Sequence, residues 1–123
     1  MFRAPGIGEY ISGVILFDET IRQKAADGTP LVKIMQDAGI IPGIKVDAGA
    51  KPLPGAPGET ITEGLDGLPA RVDEYYKLGA RFAKWRAVID ITDEAPTSHA
   101  IHTNAHALAR YAKICQEGGL CPI

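Results

Sequence analysis

Phe82–Ile91 reads FAKWRAVIDI, and the reading of that stretch decides the fold. A short run rich in β-branched and aromatic residues marks a buried strand, yet this one holds Lys84 and Arg86. Successive side chains of a strand point to opposite faces, so Lys84 and Arg86 share one face and Trp85 takes the other. Upstream, Ile40–Asp47 (IIPGIKVD) repeats the arrangement, with Lys45 and Asp47 on one face and Val46 opposite. Two successive strands therefore direct Lys45, Lys84, Arg86 and Asp47 toward a common side. Charged residues inside strands are what a (β/α) barrel collects at its active site.

The flanking segments supply the rest of the pattern. Ser12–Phe17 (SGVILF) and Leu120–Ile123 (LCPI) predict two further strands. Leu31–Ala38 places Leu31, Ile34, Met35 and Ala38 at helical spacing, and Gly39 stops that helix. Pro69 suits the first turn of a helix carrying Val72, Tyr75, Tyr76 and Gly79. Thr97 and Ser98 are both plausible N-caps for a long helix to Glu117, closed by Gly118 and Gly119. Its expected buried stripe is Ile101, Ala105, Leu108, Ala112 and Cys115, and Tyr75 and Tyr76 are expected in helix packing. The Pro- and Gly-rich segment from Ala48 to Gly67 reads as a long loop.

Alternating strands and helices imply a parallel sheet with right-handed crossovers. A Rossmann fold lacks its fingerprint: Gly6-Ile7-Gly8 has no third glycine and precedes a strand. The expected fold class is α/β, a partial section of a (β/α) barrel with about four strands.

Composition narrows the function. An apolar fraction of 46% and a net charge of −2 with scattered basic residues leave no footprint for nucleic acid or an anionic membrane. No apolar run approaches a membrane span, and no h-region follows Arg3. Cys115 and Cys121 read as reduced, buried, cytosolic thiols rather than a disulfide.

Burying three cations and a carboxylate costs several kcal/mol per ion unless they are paired. One reading is structural: Lys45 pairs with Asp47, and Arg86 with another carboxylate. The other is an anion-binding and proton-handling site, since lysine and arginine are both suited to phosphate. A desolvated lysine among cations has a lowered pKa, which from chemistry alone nominates Lys84 as a Schiff-base nucleophile. Gly55-Ala-Pro-Gly58-Glu59-Thr60 lacks the Gly-Lys-Ser/Thr ending of a P-loop, and Glu59 would repel phosphate. His99, His102 and His106 recur on one helix, but with no further ligand nearby in sequence they read as a solvated face and not a metal site.

The runs YISGVILF (10–17), GIKVD (43–47), GLDGL (64–68), FAKWR (82–86) and ALARYAKICQ (107–116) resemble class I fructose-bisphosphate aldolases, in the family's order and at about its spacings. The resemblance implies a cytosolic glycolytic lyase, usually a homotetramer, on a single-domain (β/α)8 TIM barrel of which residues 1–123 are a partial section, the second to fifth strands. It implies cleavage of fructose 1,6-bisphosphate into dihydroxyacetone phosphate and glyceraldehyde 3-phosphate through a lysine Schiff base, with no metal or other cofactor. Lys84 matches the catalytic lysine that contacts the hydroxyl oxygen at the cleaved bond. Lys45 matches a substrate-binding lysine and Arg86 an arginine implicated with phosphate; Asp47 matches an aspartate beside them. The resemblance thus replaces the Schiff-base role for Lys84.

The Schiff-base lysine, the acid/base glutamate and the first-strand aspartate of that family have no match in residues 1–123. The expectation is a segment inactive by itself; the competing expectation is a non-enzymatic binding, regulatory or antigenic fragment derived from an aldolase.

Overall fold

The computed structural model describes all of residues 1–123. After a 3-10 turn at Ile7–Glu9, the elements in chain order are β1 (Gly13–Leu16), α1 (Asp18–Ile21), α2 (Leu31–Asp37), β2 (Ile41–Lys45), β3 (Ala50–Pro52), β4 (Thr60–Thr62), α3 (Leu68–Leu78), β5 (Phe82–Lys84), α4 (Ser98–Glu117) and β6 (Cys121–Pro122). β1, β2, β5 and β6 form a parallel sheet in that order, so strands adjacent along the βα pattern are adjacent in space. This is the expected section of a barrel wall. Its register sets Gly13 beside Ile41, Gly43 beside Phe82, and Phe82 beside Cys121.

Strand parity sorts the side chains between the two faces. Leu16, Ile44, Val46, Ala83 and Trp85 point outward into one core with Met35, Leu68, Val72, Tyr75, Tyr111 and Cys115 from the helices. On the inner face no helix packs. There the Phe82 ring lies over β2 so closely that a Cβ on Gly43 would sit 2.3 Å from it, so any side chain there would have to displace the ring.

The helix signals hold at their ends. Pro69 occupies the first turn of α3, and Gly79 ends it with φ 113°, a backbone conformation that side chains disfavour. Thr97 caps α4, its hydroxyl oxygen accepting from the Ala100 amide at 3.1 Å.

Four expectations need correction. The segment from Ala48 to Gly67 contains an antiparallel hairpin, β3 paired with β4, because Thr60-Ile61-Thr62 is a β-branched run that pairs despite the prolines and glycines around it. The strand from Phe82 ends at Lys84 rather than Ile91. α4 buries Ala100, Asn104, Ala107, Tyr111 and Cys115, so its inward stripe is rotated from the one expected and Ile101 and Leu108 are exposed. Small residues let the helix approach the sheet, and the polar members find partners: Tyr111 Oη donates to the Ala83 carbonyl at 2.7 Å, and Asn104 Nδ2 to the Thr60 carbonyl at 2.9 Å. Finally, Cys121 and Tyr76 are exposed while Cys115 and Tyr75 are buried. Tyr76 instead stacks under the Arg81 guanidinium, 4.0 Å from its ring centre.

Candidate active-site face

β2 and β5 run parallel with Lys45 directly beside Lys84 in register, so both lysines leave the sheet on the inner face near its C-terminal end. That is the side of a barrel from which catalytic groups project. Asp47 follows two residues after Lys45 and turns its carboxylate back: Lys45 Nζ donates to Asp47 Oδ1 at 2.8 Å and to the Asp47 carbonyl at 3.1 Å. The Asp47 side chain is only 3% exposed, against 28% for Lys45. The same carboxylate accepts the amides of Gly49 at 3.0 Å and Arg86 at 3.3 Å. It is thus satisfied by one ammonium and two backbone donors, which is what a nearly buried carboxylate needs.

Lys84 and Arg86 differ from Lys45 in having no carboxylate within ion-pair distance. Lys84 is half-buried and Arg86 exposed. Since β5 ends at Lys84, strand parity no longer governs Arg86; its backbone is held by other means. Thr62, on β4 and 2% exposed, donates its hydroxyl to the Arg86 carbonyl at 2.6 Å. The structural reading of the charges therefore holds in part: Lys45 and Asp47 are paired, while Lys84 and Arg86 have no carboxylate partner.

Glu59 does not face an anion site. It is 7% exposed, and its carboxylate accepts the Thr97 amide at 2.8 Å and hydroxyl at 2.6 Å, fastening the hairpin to the start of α4. The three histidines lie on the exposed part of α4, with His99 Nε2 3.0 Å from the Pro54 carbonyl, and no three His, Cys, Asp or Glu side chains cluster as metal ligands. A hollow of about 750 Å³ opens on the helix side, between Gly64 and α4, with Arg71, His106 and Arg110 among its walls. Neither Lys45 nor Lys84 lines it, but Asp47, the partner of Lys45, does.

Comparison with known proteins gives this face its context. The family model described as glycolytic fructose-bisphosphate aldolase class-I matches residues 1–123. The chain belongs to the class I fructose-bisphosphate aldolase family. A probable class 1 fructose-bisphosphate aldolase of Xanthomonas campestris pv. campestris is 65% identical over the whole chain, which spans 37% of that relative. The cytoplasmic isozyme 2 of Pisum sativum is 60% identical over 115 residues, covering 94% of this chain and 32% of its own length. A Plasmodium falciparum fructose-bisphosphate aldolase, solved in a ternary complex with TRAP and a small-molecule inhibitor, superposes with a TM-score of 0.96 at 51% identity, over 99% of this chain and 36% of that one. The chain thus spans about a third of the length of the relatives it matches.

Within this aldolase segment the fold is a section of an α/β TIM barrel, as expected. Sequence reasoning missed two residues that build the candidate site. Thr62 lies in the segment expected to be a loop, and its β-branched neighbours are the signal for the strand it occupies. Arg71, inside the predicted helix but not singled out there, spans from α3 to donate to the carbonyls of Val46 at 3.1 Å and Gly64 at 2.8 Å. An arginine one turn into an otherwise apolar helix face is the available signal, but its targets are backbone oxygens that only the fold brings near.

Proposed function

We propose that residues 1–123 form part of one barrel domain of a glycolytic aldolase that cleaves fructose 1,6-bisphosphate into dihydroxyacetone phosphate and glyceraldehyde 3-phosphate. The observation that carries this reading is the placement of Lys45 and Lys84 side by side on the uncovered face of a parallel sheet, with Arg86 immediately beyond. In the reaction a Schiff base on the ketone carbon draws in the electrons of the bond between its α- and β-carbons as the hydroxyl on the β-carbon loses its proton and becomes the aldehyde oxygen. Lys84, free of any carboxylate, is placed to stabilise negative charge building on that oxygen. Lys45 and Arg86 supply cations for substrate phosphates, Lys45 as a point charge and Arg86 as a fork of donors. Asp47 orients Lys45. The iminium is the electron sink, so the chemistry calls for no metal or other cofactor.

The Schiff-base lysine and acid/base glutamate of the family have no counterpart among these residues, so the 123-residue chain does not turn over substrate by itself. Assembly as a homotetramer and a cytoplasmic location belong to the same proposal; the names of cytosolic plant relatives support the location.

The test uses two proteins. Borohydride reduction of the isolated chain with dihydroxyacetone phosphate should leave Lys84 and Lys45 unmodified by mass spectrometry. A stoichiometric adduct with turnover would overturn both the role of Lys84 and the inactivity of the chain. Placing residues 1–123 in the corresponding third of the Xanthomonas relative should yield an active enzyme. Lys84→Met in that chimaera should lower kcat by roughly 10²–10³-fold, the loss expected for one group that stabilises a developing oxyanion.

A further inference from the structure

Where β5 leaves the sheet, three side chains replace the ladder that would otherwise continue. In a parallel pair the bond after Val46 N–H to the Lys84 carbonyl, here 3.1 Å, would run from the Arg86 amide to the Val46 carbonyl. That carbonyl is instead taken by the Arg71 guanidinium. The Arg86 amide meets the Asp47 carboxylate, and the Arg86 carbonyl accepts the Thr62 hydroxyl. Two residues on, the Val88 carbonyl accepts the Thr60 hydroxyl at 3.2 Å. The chain beyond Lys84 is therefore steered off the strand path by the hairpin, and Arg86 has its N–H and C=O held from two different elements. Thr62 itself is fully enclosed, and its backbone pairs with Ala50 across the hairpin. Its hydroxyl thus sits on a rigid mount.

We infer that Thr62 is a positioning residue for Arg86, and that the β3–β4 hairpin exists in part to set the angle from which that guanidinium meets a substrate phosphate. Asp47 holds the N–H side of the same residue through Oδ2 and the Lys45 ammonium through Oδ1, so one carboxylate couples the placement of both cations. This rests on the phosphate-binding role proposed above for Arg86. A fork of donors is sensitive to orientation in a way that a lysine point charge is not, which is why the clamp acts on the arginine's backbone.

The experiment compares Thr62→Val, Thr62→Ser, Arg86→Ala and the Thr62→Val/Arg86→Ala pair in the Xanthomonas chimaera. Valine keeps the shape and loses the donor; serine keeps the donor. Thr62→Val should raise KM for fructose 1,6-bisphosphate about tenfold with kcat changed less than about twofold, and Thr62→Ser should restore it. Once Arg86 is gone, adding Thr62→Val should raise KM no further, because two residues acting through one interaction are not additive. Additive losses, or a Thr62→Val enzyme with normal KM beside an impaired Arg86→Ala enzyme, would overturn the positioning role. A normal KM for Arg86→Ala would instead remove the phosphate assignment beneath it, and this inference with it.

Discussion

The two faces of the four-stranded sheet are built from the same strands in the same register, yet they differ in burial and in charge. On the outer face Ile44, Val46, Ala83 and Trp85 are at most 5% exposed and lie under α2, α3 and α4. On the inner face Phe17 is 63% and Ile41 50% exposed, beside Lys45, Lys84 and Cys121. Hydrophobic alternation alone does not tell these faces apart, because both carry aliphatic residues. Charge does. An ion placed under the helices would lose its water for no partner, whereas on the open face Lys84 keeps part of its hydration and Asp47 completes its shell with an ammonium and two amides.

That contrast can be broken most directly by stability measurements. Ile44→Ala, which empties space beneath the helices, should cost about 2–5 kcal/mol in urea denaturation of the chain. Phe17→Ser, one strand away on the open face, should cost under about 1 kcal/mol. Equal losses would mean that the inner face is covered in solution, as by a second copy.

A smaller effect separates the charged residues of the inner face from one another. Asp47→Ala leaves the amides of Gly49 and Arg86 without their acceptor and the Lys45 ammonium without its partner, and should cost about 1–3 kcal/mol. Lys45 is partly solvated and recovers water, which keeps the loss below that of a fully buried pair. Lys84→Met removes no ion pair and should change stability by less than about 0.5 kcal/mol. A large loss at Lys84 would give it a structural role in place of the one proposed.

The smallest effect is chemical, and each cysteine reports one side. Burial beneath the helices pushes the Cys115 thiol up to about 11, while Cys121 is exposed beside Phe82 on the open side. Iodoacetamide at pH 8 should therefore label Cys121 and spare Cys115 in the native chain. The sign of the linkage follows from the raised folded value. The folded state keeps the Cys115 proton more tightly than the unfolded chain, so its contribution to stability is whole below the ordinary thiol value of about 8.5 and is lost as pH rises toward about 11. Rapid labelling of both thiols would show that α4 opens readily from the sheet.

Much of this molecule was legible in its residues. The order of strands and helices, the glycine and proline stops, an N-cap at Thr97 or Ser98 and the common side of Lys45 and Lys84 all follow from local rules: alternation in a strand, 3.6-residue periodicity, and the backbone limits of proline and glycine. The family was legible as well, since GIKVD and FAKWR are long and unusual strings. Tertiary structure alone decided the rest. α4 offered two stripes, and the one with more aliphatic mass lost to the one whose small residues admit the sheet and whose Asn104 and Tyr111 reach backbone carbonyls there. The carboxylate of Glu59 on the start of α4 and the hold on Arg86 by Asp47 and Thr62 link residues 24 to 39 positions apart. Local propensity carries no information about such partners, because a hydrogen bond depends on where two groups meet and not on how far along the chain they lie.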